Sequence, residues 1–301
     1  MFYLPPRAEE DGPGDLNGDG HPDLLNINGA GRLHGYAAEA GGEICSGIQA
    51  SYDSARRQSP PGHFFDPQTG EHALISKHSD YYPGDGLTDL FARTPDGGFW
   101  LYPGDGYGSF NVDKRVKILL PDNAPAPNTW RQIKAVGDVT GDKKPDLFLR
   151  AGNGFWVLTG YTGASFQEAI LMWGSSWEGR EIVNVADIDK DGTPDLLWRN
   201  PSNGNMYVRH GKPGPVAGSV DLKSLTLASE SRSGDVQYGT SWTTANVPLL
   251  VGTPDTNGDG VPDIWAIRED GTLRIYHPGT TNTGSPVKTV ATGWGNVKSL
   301  G

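Results

Sequence analysis

Asp187-Ile-Asp-Lys-Asp-Gly-Thr-Pro-Asp195, followed by Leu196-Leu-Trp-Arg199, is the stretch that decides the fold. It sets carboxylates at positions 1, 3, 5 and 9 of a turn-rich loop and runs into a short apolar segment of strand-forming residues. The pattern recurs as Asp15-LNGDGHP-Asp23-LLNI, Tyr81-YPGDGLT-Asp89-LFAR, Asp138-VTGDKKP-Asp146-LFLR and Asp255-TNGDGVP-Asp263-IWAI. The loops span residues 15–23, 80–89, 138–146, 187–195 and 255–263.

Each apolar segment leads into a Gly-rich turn and a second strand rich in aromatics, as in Asp96-Gly97-Gly98 then Phe99–Tyr102, which is a hairpin signal. Apolar stretches such as Ile133–Val136 and Ile182–Val185 precede the loop, and others such as Phe166–Leu171 follow the hairpin. A unit is therefore four short strands with an acidic loop between the first and second. The third acidic positions (Asp19, Asp85, Asp142, Asp191, Asp259) lie 66, 57, 49 and 68 residues apart. A propeller blade takes roughly 40–50 residues, so the two longest gaps hold no further blade. Their surplus is assigned to loops at Ser51–Gly70 and Gly211–Gly239.

The C-terminal stretch Gly293–Gly301 resembles a first strand without its loop, whereas Asp15 opens a loop without its first strand. Joining them completes a unit and removes the exposed edges of an open array. The expectation is an all-β, five-bladed propeller over residues 15–301, closed by the C-terminal strand and preceded by a linker over residues 1–14.

Composition agrees. With 43 Gly and 23 Pro in 301 residues, a helix breaker falls every four to five positions, which excludes long helices. The formal net charge of −11 argues against nucleic acid and anionic membranes as partners. No apolar run approaches the roughly 18 residues of a membrane span, so membrane insertion is not expected. Cys45 is the only cysteine, which rules out an intramolecular disulfide. The first residues lack the basic and apolar regions of a signal peptide, which is read as a signal removed or lying outside this stretch.

Oxygen side chains at positions 1, 3, 5 and 9 of a flexible loop suit calcium, which takes roughly six to eight hard ligands. Clustered carboxylates also repel one another unless a dication lies among them. Asp187, Asp189, Asp191 and Asp195 form the richest set. Asp15, Asn17, Asp19 and Asp23, like Asp255, Asn257, Asp259 and Asp263, offer three carboxylates and an amide oxygen. Asp138, Thr140, Asp142 and Asp146 have Lys143 and Lys144 beside them, which predicts weaker binding. In the second loop Tyr81 and Pro83 take positions 1 and 3, leaving Asp85 and Asp89 in register. Asp80 is within reach there through a one-residue bulge, and this loop is read as empty. About four calcium sites are expected. An EF-hand is excluded, since position 12 is Asn26, Ala92, Leu149, Trp198 or Ala266 instead of a bidentate Glu.

Gly137–Leu147 and Phe99–Phe110 resemble the FG-GAP/VCBS repeats of integrin-type propellers, as found in secreted bacterial lectin-like proteins and appended to enzymes. The resemblance covers about residues 15–301. It implies calcium in the loops, an extracellular setting and a binding role, often toward carbohydrate. Five blades in place of the integrin head's seven depart from integrin-like adhesion.

No Gly-x-Ser-x-Gly elbow, His-Glu-x-x-His motif or Walker loop is present, and the histidines do not recur at metal-ligand spacing. The sequence therefore reads as a non-enzymatic module. Trp100, Trp156, Tyr207 and Tyr276 recur on the hairpin strands, and Arg93, Arg150 and Arg199 stand four residues after the last loop Asp. Trp130, Trp177, Trp242 and Trp294 are read as coming from the strand before each loop. Together these are candidate linings of glycan-binding clefts between blades, because sugar C–H faces stack on aromatic rings. The competing reading is core packing, since propeller blades bury both faces. A structural or protein-interaction module of a larger secreted protein or toxin is the alternative. A propeller hydrolase or lyase comes third.

Overall fold

The apolar runs become strands because their β-branched and aromatic residues are bounded by Gly, Pro, Asn and Asp, which turn the chain. The computed structural model describes residues 10–60, 62–82, 84–284 and 287–301 and shows five sheets of four antiparallel strands. From the inside outward, blade two is Leu74–Lys77, Leu90–Arg93, Phe99–Tyr102 and Val116–Lys117. Blade three is Trp130–Val136, Asp146–Ala151, Gly154–Thr159 and Glu168–Trp173, and blade four is Glu181–Ala186, Asp195–Arg199, Met206–Arg209 and Asp235–Gly239. Blade five is Leu249–Thr253, Asp263–Ile267, Leu273–Tyr276 and Val287–Ala291.

Blade one is built from both ends of the chain. Ser299–Leu300 pairs with Leu24–Ile27, in register Leu300 to Asn26, and Leu33–Tyr36 and Ile48–Gln49 complete the sheet. The innermost strands touch in a circuit from blade one through blade five and back to one. The chain is thus a five-bladed β-propeller closed by its C-terminal strand, as the repeat arithmetic predicts.

Two local expectations are corrected. The stretch Gly211–Gly239, read as loop, supplies the outer strand of blade four at Asp235–Gly239, and a short 3-10 turn at Leu222–Leu225. Within Ser51–Gly70, Ser51–Tyr52 runs parallel to Phe110–Asn111 and ties blade one to blade two. Both segments escape a pattern search because runs of two to five residues carry too little periodicity. Residues 1–9 of the expected linker, and Pro83 of the second loop, lie outside the described residues. The following residues lie against blade two, where the Gly14 N–H donates to His78 O at 2.7 Å and the Thr88 N–H donates to Asp11 Oδ2 at 2.8 Å.

A blade packs both faces against its neighbours, so the apolar residues divide into five clusters, one per interface. Four interfaces hold a tryptophan from the segment entering the next inner strand. Trp130 packs on Phe99, Trp177 on Phe155 at 4.1 Å between ring centroids, Trp242 on Tyr276 and Trp294 on Tyr36. Between blades one and two Phe64 serves instead, against Tyr102. A wide aromatic is needed there because blades diverge outward from the axis. Closer in, side chains bridge blades directly. The Gln132 amide both donates to Ile182 O and accepts from the Ile182 N–H, and Ser76 Oγ accepts from the Ala135 N–H at 2.8 Å.

Trp177 has no exposed surface, so Trp177→Ala leaves a cavity at one interface and is expected to cost about 3–5 kcal/mol. Urea unfolding followed by tryptophan fluorescence reads this as a lower midpoint; an unchanged midpoint contradicts the wedge role.

Candidate functional site

The acidic loops share one hydrogen-bonded scaffold. In the first, Asp15 Oδ1 accepts from the Asn17 and Gly18 N–H groups at 3.0 and 2.7 Å, and Oδ2 accepts from Gly20 at 2.8 Å. The fifth repeats this with Asp255 accepting from Asn257, Gly258 and Gly260. Such a curl requires left-handed backbone at positions 4 and 6, which Gly supplies without a Cβ clash. Gly18 and Gly20 adopt it in the first loop, whereas Lys143 and Lys190 are held at φ 65° in the third and fourth.

Position 9 is buried in every loop: Asp23, Asp89, Asp146, Asp195 and Asp263 are at most 2% exposed. Each accepts from the N–H at position 2, namely Leu16, Tyr82, Val139, Ile188 or Thr256. Three also hold the turn after the third strand, through Ala38, Gly104 and Gly211 N–H groups at 2.9 Å. In the second loop Asp80 accepts from the Gly84 and Gly86 N–H groups, so it takes the part of position 1 through one extra residue.

The loops differ in how far their ligand atoms converge. In the fourth, carboxylate oxygens of Asp187, Asp189 and Asp191 lie within 4.8 Å of one another, as do those of Asp189 and Asp195 with His210. Among the described residues no other loop gathers three such acidic or imidazole groups. His210 Nδ1 lies 3.1 Å from Asp195 Oδ2, and Arg232 is ion-paired with both Asp189 and Asp191. In the first and fifth loops the Asn17 and Asn257 amides donate to Asp19 and Asp259 at 3.0 and 3.1 Å. The donor set of the fourth loop fits a hard dication: several carboxylates from a flexible loop, one of them fully buried.

Sequence reasoning missed His210 and Arg232. A signal for His210 existed, since His210 and His277 both follow the third strand of their blades, and His277 Nδ1 lies 3.2 Å from Asp263 Oδ1. Arg232 sits in the long insertion of blade four, where no repeat marks it.

The aromatic and arginine candidates separate by depth. Trp130 and Trp177 are 0% exposed, Trp242 5% and Trp294 8%, all spent on the blade interfaces. Arg199 is buried, paired with Glu181 at 2.6 Å and donating to Trp242 O and Val247 O. Arg150 likewise donates to Trp177 O and Glu178 O, and Arg93 pairs with Glu71 at 3.0 Å. Arg150 and Arg199 thus tie a second strand to the segment entering the next blade, whereas Arg93 is held by Glu71 in the segment entering its own blade. Arg93 and Trp130 do meet at a shallow depression of about 320 Å³. Tyr276 is buried against Trp242.

Trp100, Trp156 and Tyr207 are half-buried at one equivalent strand position, which His34 and Arg274 hold in the other two blades. Trp100 carries Arg115 over its ring at 4.4 Å and lines a cleft of about 520 Å³ with Asp96, Lys117, Leu120 and Pro127, between blades two and three.

The loop carboxylates generate a pH prediction. Without metal, burial pushes Asp23, Asp89 and Asp146 up to about 7 and Asp195 to about 6, and also raises Asp263. A carboxyl whose folded value is raised favours the fold while protonated, and this stability is lost as pH climbs from about 4 through 7. Chelator-treated protein is expected to melt several degrees lower at pH 7.5 than at pH 5, with calcium removing the difference. A metal-free melting temperature that rises over this range contradicts it.

Residues 138–198, from the third acidic loop through the second strand of blade four, match the FG-GAP-like repeat family. No curated protein matches the chain by sequence. Among solved structures, an Agrocybe aegerita lectin described as recognising non-reducing terminal N-acetylglucosamine aligns over 94% of this chain and 85% of its own, at 16% identity and TM-score 0.42. The BP39L lectin from Burkholderia pseudomallei aligns over 91% and 68%, at 16% identity and TM-score 0.34. BBS1N, solved in complex with ARL6DN, aligns over 94% and 84%, at 9% identity and TM-score 0.43. The chain is thus a five-bladed β-propeller that carries an FG-GAP-like repeat at residues 138–198.

Proposed function

We propose that the chain is a non-catalytic, extracellular carbohydrate-binding module whose acidic loops are stapled by calcium. The observation that carries the carbohydrate reading is the interblade cleft at Trp100. Its volume of about 520 Å³ suits a small glycan, and it joins a half-buried indole to Asp96 and Lys117, which can bond hydroxyls. Trp156 and Tyr207 hold the same place in the next two blades, so weak sites can add up on a multivalent surface. The calcium reading is supported by the convergence of Asp187, Asp189, Asp191 and Asp195 and by the cost of burying position-9 carboxylates without a counter-charge. Bound calcium neutralises these groups and links the start of a loop to its end. Modules of this kind bind calcium at about 10⁻⁴–10⁻³ M, a range met outside the cell.

A protein partner is the second reading. The outermost strands of four blades expose Ile48, Leu171, Val236 and Val287, each at least 39% accessible.

A glycan array at millimolar calcium tests the first reading, with Trp100→Ala expected to lose at least tenfold in binding while remaining folded at the temperature of the array, as circular dichroism checks. No glycan signal from the wild-type protein rejects it. Calorimetric titration of chelator-treated protein is expected to count about four calcium ions. Because Arg232 competes for Asp189 and Asp191, Arg232→Ala is expected to tighten one site several-fold; unchanged isotherms contradict that competition.

A further inference from the structure

Two lysines, Lys77 and Lys134, stand near the axis of the ring although the chain is acidic overall. Five equivalent positions, one on each innermost strand, face one another across it: Ser76, Lys134, Asn184, Val251 and Gly301. Lys134 is the only charged residue of the five. Its ammonium donates to Gly252 O at 2.6 Å, from blade three to blade five, so the side chain crosses the axis past blade four. Two axial cavities, of about 160 and 270 Å³, meet at Ser76, Lys134 and Val251.

The larger cavity also receives Lys77, whose Nζ donates to Gly14 O at 3.0 Å, and is lined as well by Asp187 and Asp255, the first residues of the fourth and fifth acidic loops. Lys77 and Lys134 are 8% and 7% exposed. Neither has a carboxylate within 4 Å among the described residues, but Lys77 feels the charges of Asp23 and Asp15, whereas the one charge that acts on Lys134 is that of Lys77, of the same sign. Together with burial it pulls Lys134 down to about 7. The Thr253 hydroxyl lines the same cavity, 3% exposed and without a hydrogen-bond partner. A buried ammonium with one carbonyl partner retains two unused N–H donors, and a buried cation without a counter-charge is costly.

We propose that the axial cavity at Lys134, Lys77 and Thr253 is a binding site for a small oxyanion, a carboxylate or a sulfate-like group. An oxyanion there accepts from Lys134 and from the Thr253 hydroxyl and supplies the negative charge that Lys134 lacks. The site is separate from the interblade cleft at Trp100. It implies a ligand class that the aromatic cleft does not select.

Thermal melts at constant ionic strength and millimolar calcium test this, with sodium sulfate, sodium glucuronate and glucose as probes against chloride. Saturable stabilisation below about 10 mM by sulfate or glucuronate, with none from glucose, is expected. Sulfate alone indicates a compact inorganic anion, and glucuronate alone or both together indicates a carboxylate-bearing ligand. Lys134→Met is expected to abolish the anion effect and to melt higher than wild type without anion, because it removes the uncompensated charge. Should that variant fail to fold, Thr253→Val is expected to weaken the anion at least threefold. Absence of a saturable effect from both anions, or full retention of it in the variant that folds, overturns the proposal.

Discussion

One carboxylate per blade, the ninth residue of each acidic loop, is the contact on which the rest depends. It is buried in all five blades and accepts from the loop's own backbone, and in three it also holds the turn after the third strand. In those three it thereby connects the first, second and third strands of the blade at one point. A charged group at the bottom of a turn is expensive to desolvate, and hydrogen bonds from N–H groups offset only part of that cost. The loops are therefore strained electrostatically until a cation or a proton arrives, and the two are competing answers to one problem.

The fourth loop shows a third answer. His210 and Arg232 bring protein cations to Asp195, Asp189 and Asp191, so the loop with the most ligands is also the one whose charge is best met from within. Ligand count and metal dependence need not run together. Across the ring the same logic reverses sign. Lys134 stands near the axis with only the like charge of Lys77 acting on it, although four dications would bring the net charge only from −11 to −3.

The aromatic residues divide by the same geometry. Sheets radiating from an axis diverge, so the space between them must be filled by side chains wider than Leu or Val. Trp130, Trp177, Trp242 and Trp294 do this at four interfaces and Phe64 at the fifth. What remains for recognition is the position where the third strand emerges half-buried, occupied by Trp100, Trp156 and Tyr207. The sequence pattern shows both groups as equally periodic aromatics. Periodicity marks equivalent places in a repeat and says nothing of depth.

Fold and blade number were legible in the sequence because the loop Asp23-like aspartates recur in register and each lies beside a strand whose turns are written in Gly and Pro. Even the closure could be read, since a first strand without a loop stands at Ser299–Leu300 and a loop without a first strand at Asp15. The acidic motif was likewise local: nine consecutive residues contain the whole of it. Non-local partners were not legible. Arg232 reaches Asp189 across an insertion of no fixed pattern. Arg199 is committed to Glu181 and to carbonyls some 43 and 48 residues away, and Lys134 meets a carbonyl on a blade that is not its neighbour. Sequence alone thus determined what repeats, because hydrogen bonds within a turn and strand alternation act over a few residues. Only the tertiary structure decided which charges meet and which aromatics reach solvent, because those depend on how five separate sheets close around one axis.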